Sequence, residues 1–337
     1  MKEVFIFGAG ASHASAKTPL GQDLVWTYFS DCFEFNVESN RKKFGSLLNF
    51  FQSNPKWKEY ADELKRCINA STNQIFNVDK KYYVDELMND LQKKGDKESI
   101  KLIKRLTFEH IAETANEPKT KGLSLYQQFA QSLTERSPSE VSVVSFNFDC
   151  LLHEEFKVTN VYRPVYFDYI IPFNSVNSGR SYYNRQKGIP LIKLHGSLDW
   201  AFNSEKKQIH LLHWLIKPET HYLNNDKEEP YIFLPYQQVD ELIKPLRNQA
   251  KEELKKADTI TIIGYSFPDC DEEEIIDLFQ NVNPKAEWEV INYVEDFDLE
   301  KRNKTQDRYK KFLSSFKSVK FNFDGFESYI CNEARSR

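Results

Sequence analysis

Glycine is scarce in this chain of 337 residues, which has only 11 of them, well below the average usage of about 7%. Scarcity makes the positions informative, and Gly8, Gly10, Gly196 and Gly264 all follow short apolar segments. Glycine at such a place permits a tight turn and a close approach of the backbone to a ligand. The glycines therefore point to strand ends as the place where a site forms.

Closely spaced cysteines are also lacking, because the five cysteines are far apart in sequence and form no C-x-x-C pair. This spacing excludes a zinc module built from cysteine pairs and the dense disulfide framework of a small secreted domain. The histidines show no spacing typical of metal ligands either. We therefore expect free thiols in a reducing compartment and no bound metal.

No apolar run approaches the roughly 20 residues that span a bilayer, and the chain enters its first apolar strand without the pattern of a signal peptide. The charge is near balance, with 46 basic and 50 acidic residues, so no global attraction to nucleic acid or anionic lipid is expected. These absences predict a cytoplasmic protein that neither inserts into membranes nor binds nucleic acid directly.

Predicted strands and helices alternate along the chain. Continuous apolar runs are typical of a parallel sheet covered on both faces, and they occur at Val4–Phe7, Val141–Phe146, Leu191–Leu194, Thr259–Ile263 and Trp288–Ile291. Amphipathic helices are predicted over Leu20–Phe35, Tyr83–Asn116, Leu123–Thr134, Val239–Ala257, Glu273–Val282 and Leu299–Phe316. The alternation predicts an α/β fold, a Rossmann-like doubly wound parallel sheet.

The interval between the first two predicted strands is too long for a single crossover helix. It predicts an inserted helical subdomain at residues 36–120, while residues 1–35 and 121–337 form the Rossmann domain. A second insertion at 165–188 is rich in Tyr, Asn and Ser, and we expect a loop near the site. The segment 200–235 is expected to add a hairpin or a lid.

Small or polar residues follow every predicted strand. They are Gly8–Ser12, Asn147–Asp149, His195–Ser197, Gly264–Ser266 and Asn292. Ligands of open parallel sheets bind beyond the carboxyl ends of the strands. Five such segments converging on one edge are a stronger indication of a site than any one of them alone.

The first of these segments is a candidate phosphate-binding turn. The backbone N–H groups of Gly8, Ala9 and Gly10, with those of the following helix, can hold a diphosphate. His13 stands where the third glycine of a G-x-G-x-x-G pattern would be, so a tight turn without a ligand is the alternative. Ser12 is interpreted either as a helix cap or as a phosphate contact.

His195 and Asn147 are the candidate catalytic residues. A histidine titrates near neutrality and can act as a general base, although a hydrogen-bonded core histidine is the alternative. The Asn147 amide can both donate and accept, so it can hold a ribose hydroxyl or a water. Asp149 either binds ribose or caps a helix that begins at Cys150.

In this order the segments resemble the sirtuin family. The G-A-G-x-S turn of that family matches Gly8–Ser12, its G-I-P stretch loosely matches Thr18–Leu20, and its T-Q-N-x-D stretch aligns with Ser145–Asp149. Its H-G pair, which contains the catalytic histidine, matches His195-Gly196. Its G-T-S segment is similar to Gly264–Ser266, and its strand ending in I-N is similar to Ile291-Asn292.

The departures from that pattern indicate a particular branch of the family. The chain lacks the four-cysteine zinc module of sirtuin deacylases, and Phe146 replaces the glutamine of T-Q-N-x-D. In these respects it resembles prokaryotic sirtuin-like proteins that hydrolyse NAD in anti-phage defence. The resemblance implies that NAD is the substrate, with catalytic roles for Asn147 and His195, and with Ser266 and Asn292 near the adenosine half.

Two alternative activities and several partners follow from the same resemblance. The site is also compatible with an NAD-dependent protein deacylase, and with a non-catalytic regulatory subunit that binds NAD or ADP-ribose. The resemblance further implies a homo-oligomer, which works alone, with a partner ATPase or with a phage-derived activator. The helices at 36–120 are the expected contact region.

Overall fold

A sheet of seven parallel strands forms the centre of the protein. The structure is a computed structural model, and it describes residues 1–20, 29, 32–33, 36–70, 76–78, 82, 84–116, 123–133, 136–152, 167–169, 189–211, 228–237, 241–295 and 298–335. In chain order its strands are β1 (Glu3–Phe7), β2 (Val141–Ser145), β3 (Phe167–Tyr169), β4 (Ile189–Lys193), β8 (Thr259–Ile263), β9 (Glu287–Ile291) and β10 (Ser318–Asn322). Each of the five predicted strands is present, with boundaries shifted by at most two residues.

The strand order is β10-β9-β8-β1-β2-β4-β3, and every neighbouring pair is parallel. The chain begins at the middle of the sheet, adds β2, β4 and β3 on one side, and then adds β8, β9 and β10 on the other. This order confirms the predicted Rossmann-like doubly wound fold. The central strands are buried on both faces, with Val4 and Phe7 fully inaccessible, as their continuous apolar sequences predict.

The described ranges contain ten α-helices, which lie between the strands in sequence or follow the last strand. They are α1 (Ala9–Ala16), α2 (Val37–Gln52), α3 (Lys58–Asn69), α4 (Val84–Lys94), α5 (Lys97–Asn116), α6 (Leu125–Ser132), α7 (Lys244–Lys255), α8 (Glu272–Phe279), α9 (Leu299–Leu313) and α10 (Gly325–Arg335). None of these helices combines the length and the apolar character that crossing a bilayer requires.

The segment predicted as one helix over Tyr83–Asn116 is divided into α4 and α5. Gly95 separates them with φ +70°, a left-handed conformation that glycine adopts without a steric penalty and that ends a helix. Asp96 then accepts a hydrogen bond from the backbone N–H of Ser99 at 3.0 Å, which caps the start of α5. The prediction of a single helix was wrong because its apolar spacing continues through this junction.

Two elements near the carboxyl terminus, β10 and α10, were not predicted. The strand β10 pairs with β9 only, so it lies at an edge of the sheet. Its residues are partly exposed and include Lys320, so it lacks the continuous apolar run that marks the central strands. At the opposite edge, β3 falls within the predicted loop at 165–188, and the rest of that segment lies outside the described residues. Most of the helix predicted over Leu20–Phe35 also lies outside them.

A second sheet of three antiparallel strands occupies part of the segment predicted as a hairpin or lid. Its strands are β5 (Gly196–Asn203), β6 (Gln208–Leu211) and β7 (Glu228–Ile232), in the order β6-β5-β7. The β5–β6 pair is the predicted hairpin. Gly196 begins β5 directly after β4 and His195, with φ +81°, and thereby turns the chain from the first sheet into the second.

The helices α2 to α5 lie between β1 and β2 in sequence and have their own hydrophobic core, which contains Phe51, Trp57 and Tyr60. This core also takes in Cys150, which follows β2, Leu198 and Ile232, which lie in β5 and β7, and Leu234, which follows β7. The helical cluster is therefore packed against the second sheet and the segment that follows β2. The division into an inserted subdomain at 36–120 and a Rossmann domain remains a prediction.

Candidate functional site

The polar segments singled out in the sequence follow strands of one parallel sheet. Gly8 follows β1, Asn147 follows β2, His195 follows β4, Gly264 follows β8 and Asn292 follows β9. Since all these strands run in the same direction, the segments share the carboxyl edge of the sheet. The turn after β1 lies at the point where the strand order reverses, which is the usual ligand crevice of such sheets.

The turn after β1 is packed tightly against the end of β8. The N–H of Gly8 donates to the carbonyl of Ile263 at 3.0 Å, and the N–H of Gly10 donates to the carbonyl of Gly264 at 2.8 Å. A Cβ on Gly8 would lie 2.4 Å from the Cα of Tyr265. A side chain at Gly8 would therefore clash with the neighbouring backbone. This agrees with the alternative interpretation, in which the segment is a tight turn that needs glycine whether or not it binds a ligand.

The packing leaves few N–H groups of this turn for an anion. At the start of α1, the N–H of Ala11 donates to the carbonyl of Gly8 at 3.0 Å, while that of Gly10 is engaged by Gly264. The N–H of Ala9 has no acceptor among the residues described. A diphosphate held here would therefore use Ala9 first, assisted by the positive end of the α1 dipole.

Asn147 is the centre of a buried hydrogen-bond network. Its Nδ2 donates to the carbonyl of Gly8 at 3.0 Å, to Ser12 Oγ at 2.8 Å and to Tyr126 OH at 3.3 Å. Ser12 and Tyr126 also contact each other at 2.8 Å. Ser12 therefore joins α1 to Asn147 through its hydroxyl, and the N-cap of α1 is Gly8, which makes no side-chain cap.

The other amide atom of Asn147, Oδ1, is buried and has no hydrogen-bond partner in the part of the chain that the structure describes. A buried acceptor without a partner costs about 1–3 kcal/mol, and such atoms are rare in folded proteins. The acceptors around Nδ2 fix the amide so that Oδ1 is available to a hydroxyl group or a water. This atom is the strongest indication of a ligand in the site.

Tyr126 was not predicted as a site residue. It lies on α6 at a position that the amphipathic pattern assigns to the core, and nothing in the sequence distinguishes it from a packing tyrosine. Burial raises the pKa of Tyr126 well above its ordinary value, and the charge of Asp149 raises it further. The hydroxyl is therefore neutral and is a fixed partner of Ser12 and Asn147.

Asp149 and the buried Lys193 fix the residues that directly follow β2, and Lys193 connects them to the start of β5. Asp149 Oδ1 accepts a hydrogen bond from the N–H of Leu151 at 3.1 Å. This is the geometry of a helix cap, which was one of the two roles considered for Asp149. Lys193 Nζ donates to the carbonyl of Phe148 at 3.0 Å, to Ser197 Oγ at 2.8 Å and to the carbonyl of Asp149. Lys193 was not singled out in the sequence, because it continues an apolar strand.

His195 lies beside two carboxylates. Its Nε2 is 3.0 Å from Glu274 Oε2 and 3.8 Å from Asp271 Oδ1. Burial lowers the pKa of His195, but the negative charges of Asp271 and Glu274 raise it by more, against a smaller opposing effect of Arg247. The pKa is therefore raised above its ordinary value, and the imidazole retains a proton to a higher pH than a free histidine does.

Aromatic rings enclose His195. The edge of one ring meets the other in the Phe146–His195 pair, with centroids 5.0 Å apart. Phe146 is in turn stacked on Tyr265 at 4.1 Å with an interplanar angle of 15°, and Phe148 lies 6.3 Å from the imidazole. The side chain of His195 is 14% exposed. The apolar surroundings strengthen its electrostatic interaction with the neighbouring carboxylates.

Glu274, Asp271 and Arg247 were missed by sequence reasoning. The first turn of α8 contains Glu272, Glu273 and Glu274, and acidic residues are common at helix starts because they stabilise the helix dipole. Nothing in that run distinguishes Glu274 from its neighbours. Only the packing of α8 against α7, and the contacts of Glu274 with Arg247 and His195, show that Glu274 faces inward.

The three side chains His195, Asp271 and Glu274 offer ligand atoms that all lie within 4.8 Å of one another. Such a set is chemically suited to a divalent transition metal. However, Glu274 Oε1 already pairs with Arg247 Nη2 at 2.8 Å, and Glu274 Oε2 is at hydrogen-bond distance from His195. Both carboxylate oxygens of Glu274 therefore already face a partner, and the arrangement is that of a histidine paired with a carboxylate.

Asn292 and Ser266, which were expected near the adenosine half of NAD, show no buried polar atom that lacks a partner among the described residues, in contrast to Asn147. Asn292 Nδ2 donates to Tyr309 OH at 3.1 Å, and the Tyr309 hydroxyl donates to the carbonyl of Tyr265 at 2.6 Å. The amide of Asn292 thus supports the turn after β8. Ser266 is exposed, and its carbonyl accepts from Arg308 at 3.5 Å.

Comparison with known proteins gives structural similarity alone. No protein-family model matches the chain, and no curated protein matches it in sequence. Among solved structures, it is similar to a Sir2 homolog–NAD complex, with 13% identity, a TM-score of 0.47 and coverage of 99% of this chain and 90% of that one. It is also similar to the complex of a mutant Sir2 homologue with ADP ribose, with 13% identity, a TM-score of 0.46 and coverage of 99% and 92%. These values are too low to assign a family or a substrate.

Proposed function

We propose that the protein is an NAD hydrolase, which cleaves the bond between nicotinamide and ribose to give nicotinamide and ADP-ribose. The observation that supports this most directly is the buried, unpartnered Oδ1 of Asn147 at the carboxyl edge of a doubly wound sheet, where the described residues offer it no donor. It lies in one network with the turn of Gly8 and with Ser12. A dinucleotide offers this edge both a diphosphate and ribose hydroxyls.

The chemistry would be divided between two residues. Asn147 Oδ1 accepts a hydrogen bond from the ribose or from the attacking water and so orients it. As the bond between the ribose carbon and nicotinamide breaks, its electron pair goes to the nicotinamide nitrogen, and the water oxygen bonds to the carbon. His195 accepts the proton that the water loses, as a general base.

The roles of the other predicted residues follow from where they lie. Ala9, with the glycines Gly8 and Gly10, would receive the diphosphate at the start of α1, while Gly264, Ser266 and Asn292 would line the adenosine side. Asp149 would contribute by fixing the segment that contains Asn147. The resemblance to sirtuin-like defence proteins suggests that NAD depletion during phage infection is the biological outcome, with an oligomer or a partner ATPase as its setting.

The first prediction concerns NAD turnover. We expect purified protein to convert NAD into equal amounts of nicotinamide and ADP-ribose, as measured by chromatography. His195→Ala should lower kcat by at least about a hundredfold, because general base catalysis contributes roughly 10²–10⁴-fold. Asn147→Ala should lower kcat by about a hundredfold as well, because misplacing a reacting group by about 1 Å has a cost of that order. Thr261→Val, a buried change within β8 away from the strand end, is the matched control and should retain the activity.

Other outcomes of this assay would contradict the proposal. Wild-type turnover that persists unchanged in His195→Ala would remove the proposed base. Nicotinamide release that requires an acetylated peptide would identify a deacylase instead. Tight binding of NAD without turnover, including after addition of candidate activators, would identify a regulatory subunit.

A further inference from the structure

The imidazole of His195 presents its two nitrogens to different surroundings. Nε2 is directed at Glu274 Oε2, at 3.0 Å. Nδ1 has no hydrogen-bond partner in the described ranges of the chain. On this basis, and resting on the proposed function, we propose that Glu274 is a positioning residue that keeps the proton of neutral His195 on Nε2 and so leaves Nδ1 as the proton-accepting nitrogen.

Glu274 is held firmly enough to fix the orientation of a ring. Its side chain is only 9% exposed, and its second oxygen pairs with Arg247 Nη2 at 2.8 Å. Arg247 comes from α7 and Glu274 from α8, two helices that pack against each other. The ion pair on Oε1 and the hydrogen bond between Oε2 and His195 restrict the position of this buried carboxylate, so the acceptor that His195 meets is in place before any substrate arrives.

Asp271 has a different part in this arrangement. Its Oδ1 is 3.8 Å from His195 Nε2, which is beyond hydrogen-bond distance, and its Oδ2 accepts from the hydroxyl of Tyr265 at 2.6 Å. It therefore acts on His195 through its charge, while Glu274 acts through both charge and direction. Tyr265 also stacks on Phe146, whose ring contacts His195, so the aromatic wall and the carboxylates are linked.

The pairing has a defined chemical consequence. In a neutral imidazole one nitrogen is a donor and the other is an acceptor, and the partner of one nitrogen determines the role of the other. With Nε2–H donating to Glu274, the lone pair on Nδ1 takes the proton from water or from a ribose hydroxyl. The imidazolium that results carries its new charge beside Glu274 and Asp271, which stabilise it.

The test begins with the wild-type protein, free of NAD. Labelling the histidines with ¹⁵N allows the tautomer of each neutral ring to be measured by NMR at pH values above its pKa, and His195→Gln identifies the signal of His195. We expect the proton on Nε2. A neutral His195 with its proton on Nδ1 would overturn the proposal, even if NAD turnover is established.

Two variants extend the test to catalysis. Glu274→Gln keeps the size of the side chain but removes its charge, and we expect kcat to fall at least about tenfold. The charged groups that face His195 are Glu274, Asp271 and Arg247, so the loss of Glu274 lowers the pKa of His195. The acidic limb of the kcat/KM profile should therefore move to lower pH.

Asp277→Asn is the matched control. It removes the pair between Lys251 Nζ and Asp277 Oδ1, 2.6 Å apart, which joins the same two helices one turn further along α8. We expect a wild-type tautomer, a wild-type NMR titration of His195 and a wild-type pH profile. If Glu274→Gln has the same tautomer and titration as Asp277→Asn, the positioning role is wrong. Because the tautomer and the titration are measured without substrate, they decide this question even if NAD is never hydrolysed.

Discussion

Among single residues, the glycines of the site can be explained in two ways, by close approach to a ligand or by close packing of the backbone. Gly8, Gly10 and Gly264 were predicted to approach a ligand. In the structure each of them first approaches another part of the backbone, since the turns after β1 and β8 are in contact. A glycine-rich turn can therefore reflect chain packing as well as ligand binding, and the sequence pattern does not distinguish the two.

Gly264 provides a prediction about stability. It has φ +62°, and a Cβ at this position would lie 2.2 Å from the backbone nitrogen of Ala11. We expect Gly264→Ala to lower the free energy of unfolding by roughly 3 kcal/mol or more, as measured by urea denaturation. A Cβ on Gly45, in the middle of α2, would have no neighbour within 4 Å among the described residues, and Gly45→Ala should raise stability by about 0.5–1 kcal/mol. Equal effects of the two substitutions would contradict this account.

The sequence predicted where Asn147 and His195 lie, but not what they contact. Both follow continuous apolar strands, so their place at the carboxyl edge follows from local pattern and from the rule for parallel sheets. Their partners Tyr126 and Glu274 lie on helices 21 and 79 residues away along the chain. Such contacts depend on how each helix is rotated about its axis when it packs on the sheet. Helical periodicity shows which face of the helix is buried, but not which residue a given side chain meets.

At the scale of elements, α6 connects a local cap to the site. Ser124 Oγ accepts from the N–H of Gln127 at 3.1 Å, and the side chain of Gln127 accepts from the N–H of Ser124 at 3.0 Å. This reciprocal pair is a capping box. It fixes the first turn of the helix that places the hydroxyl of Tyr126 against Ser12 and Asn147.

We therefore expect Ser124→Ala to destabilise the protein by about 1 kcal/mol, as measured by thermal or urea denaturation. Ser124→Asp retains a side-chain acceptor at the cap and should remain within about 0.5 kcal/mol of the wild type, since aspartate is as good a cap as serine. A Ser124→Asp variant as unstable as Ser124→Ala would show that the cap is not the source of the effect.

Element boundaries were predictable where the burial pattern is strong. The strand over Thr259–Ile263 has the predicted limits, because an apolar run between Asp258 and Gly264 leaves little choice. The strand β10, near the carboxyl terminus, was not predicted because its burial pattern is weak. An edge strand is covered on fewer sides, so its sequence is free to include lysine and asparagine, and it loses the periodicity on which the prediction depends.

Over the molecule as a whole, the buried side chains of the described residues form two hydrophobic cores. One surrounds the parallel sheet, and the other lies among α2 to α5. The second core contains Cys150 and Leu198, which follow Asp149 and His195 within a few residues. The sequence predicted extra helices between β1 and β2, but composition alone does not show which surface they cover.

Leu198 provides a test of that connection. It is fully buried, and Leu198→Ala should lower the free energy of unfolding by about 2–5 kcal/mol, as expected when a large side chain is removed from a core. Leu123 is 51% exposed, and Leu123→Ala should change stability by less than about 0.5 kcal/mol. A small effect of Leu198→Ala, measured by urea denaturation, would mean that β5 is not packed into the core of α2 to α5 at this point.

The central position of β1 has a consequence for how the chain folds during synthesis. β1 pairs with β2 and β8, so Glu3 lies beside Val141 and Thr259. At roughly 5–20 residues per second, the ribosome produces β8 on the order of ten to fifty seconds after β1. Throughout that interval this apolar strand has an open edge, which is the kind of surface that chaperones bind and that aggregation exploits.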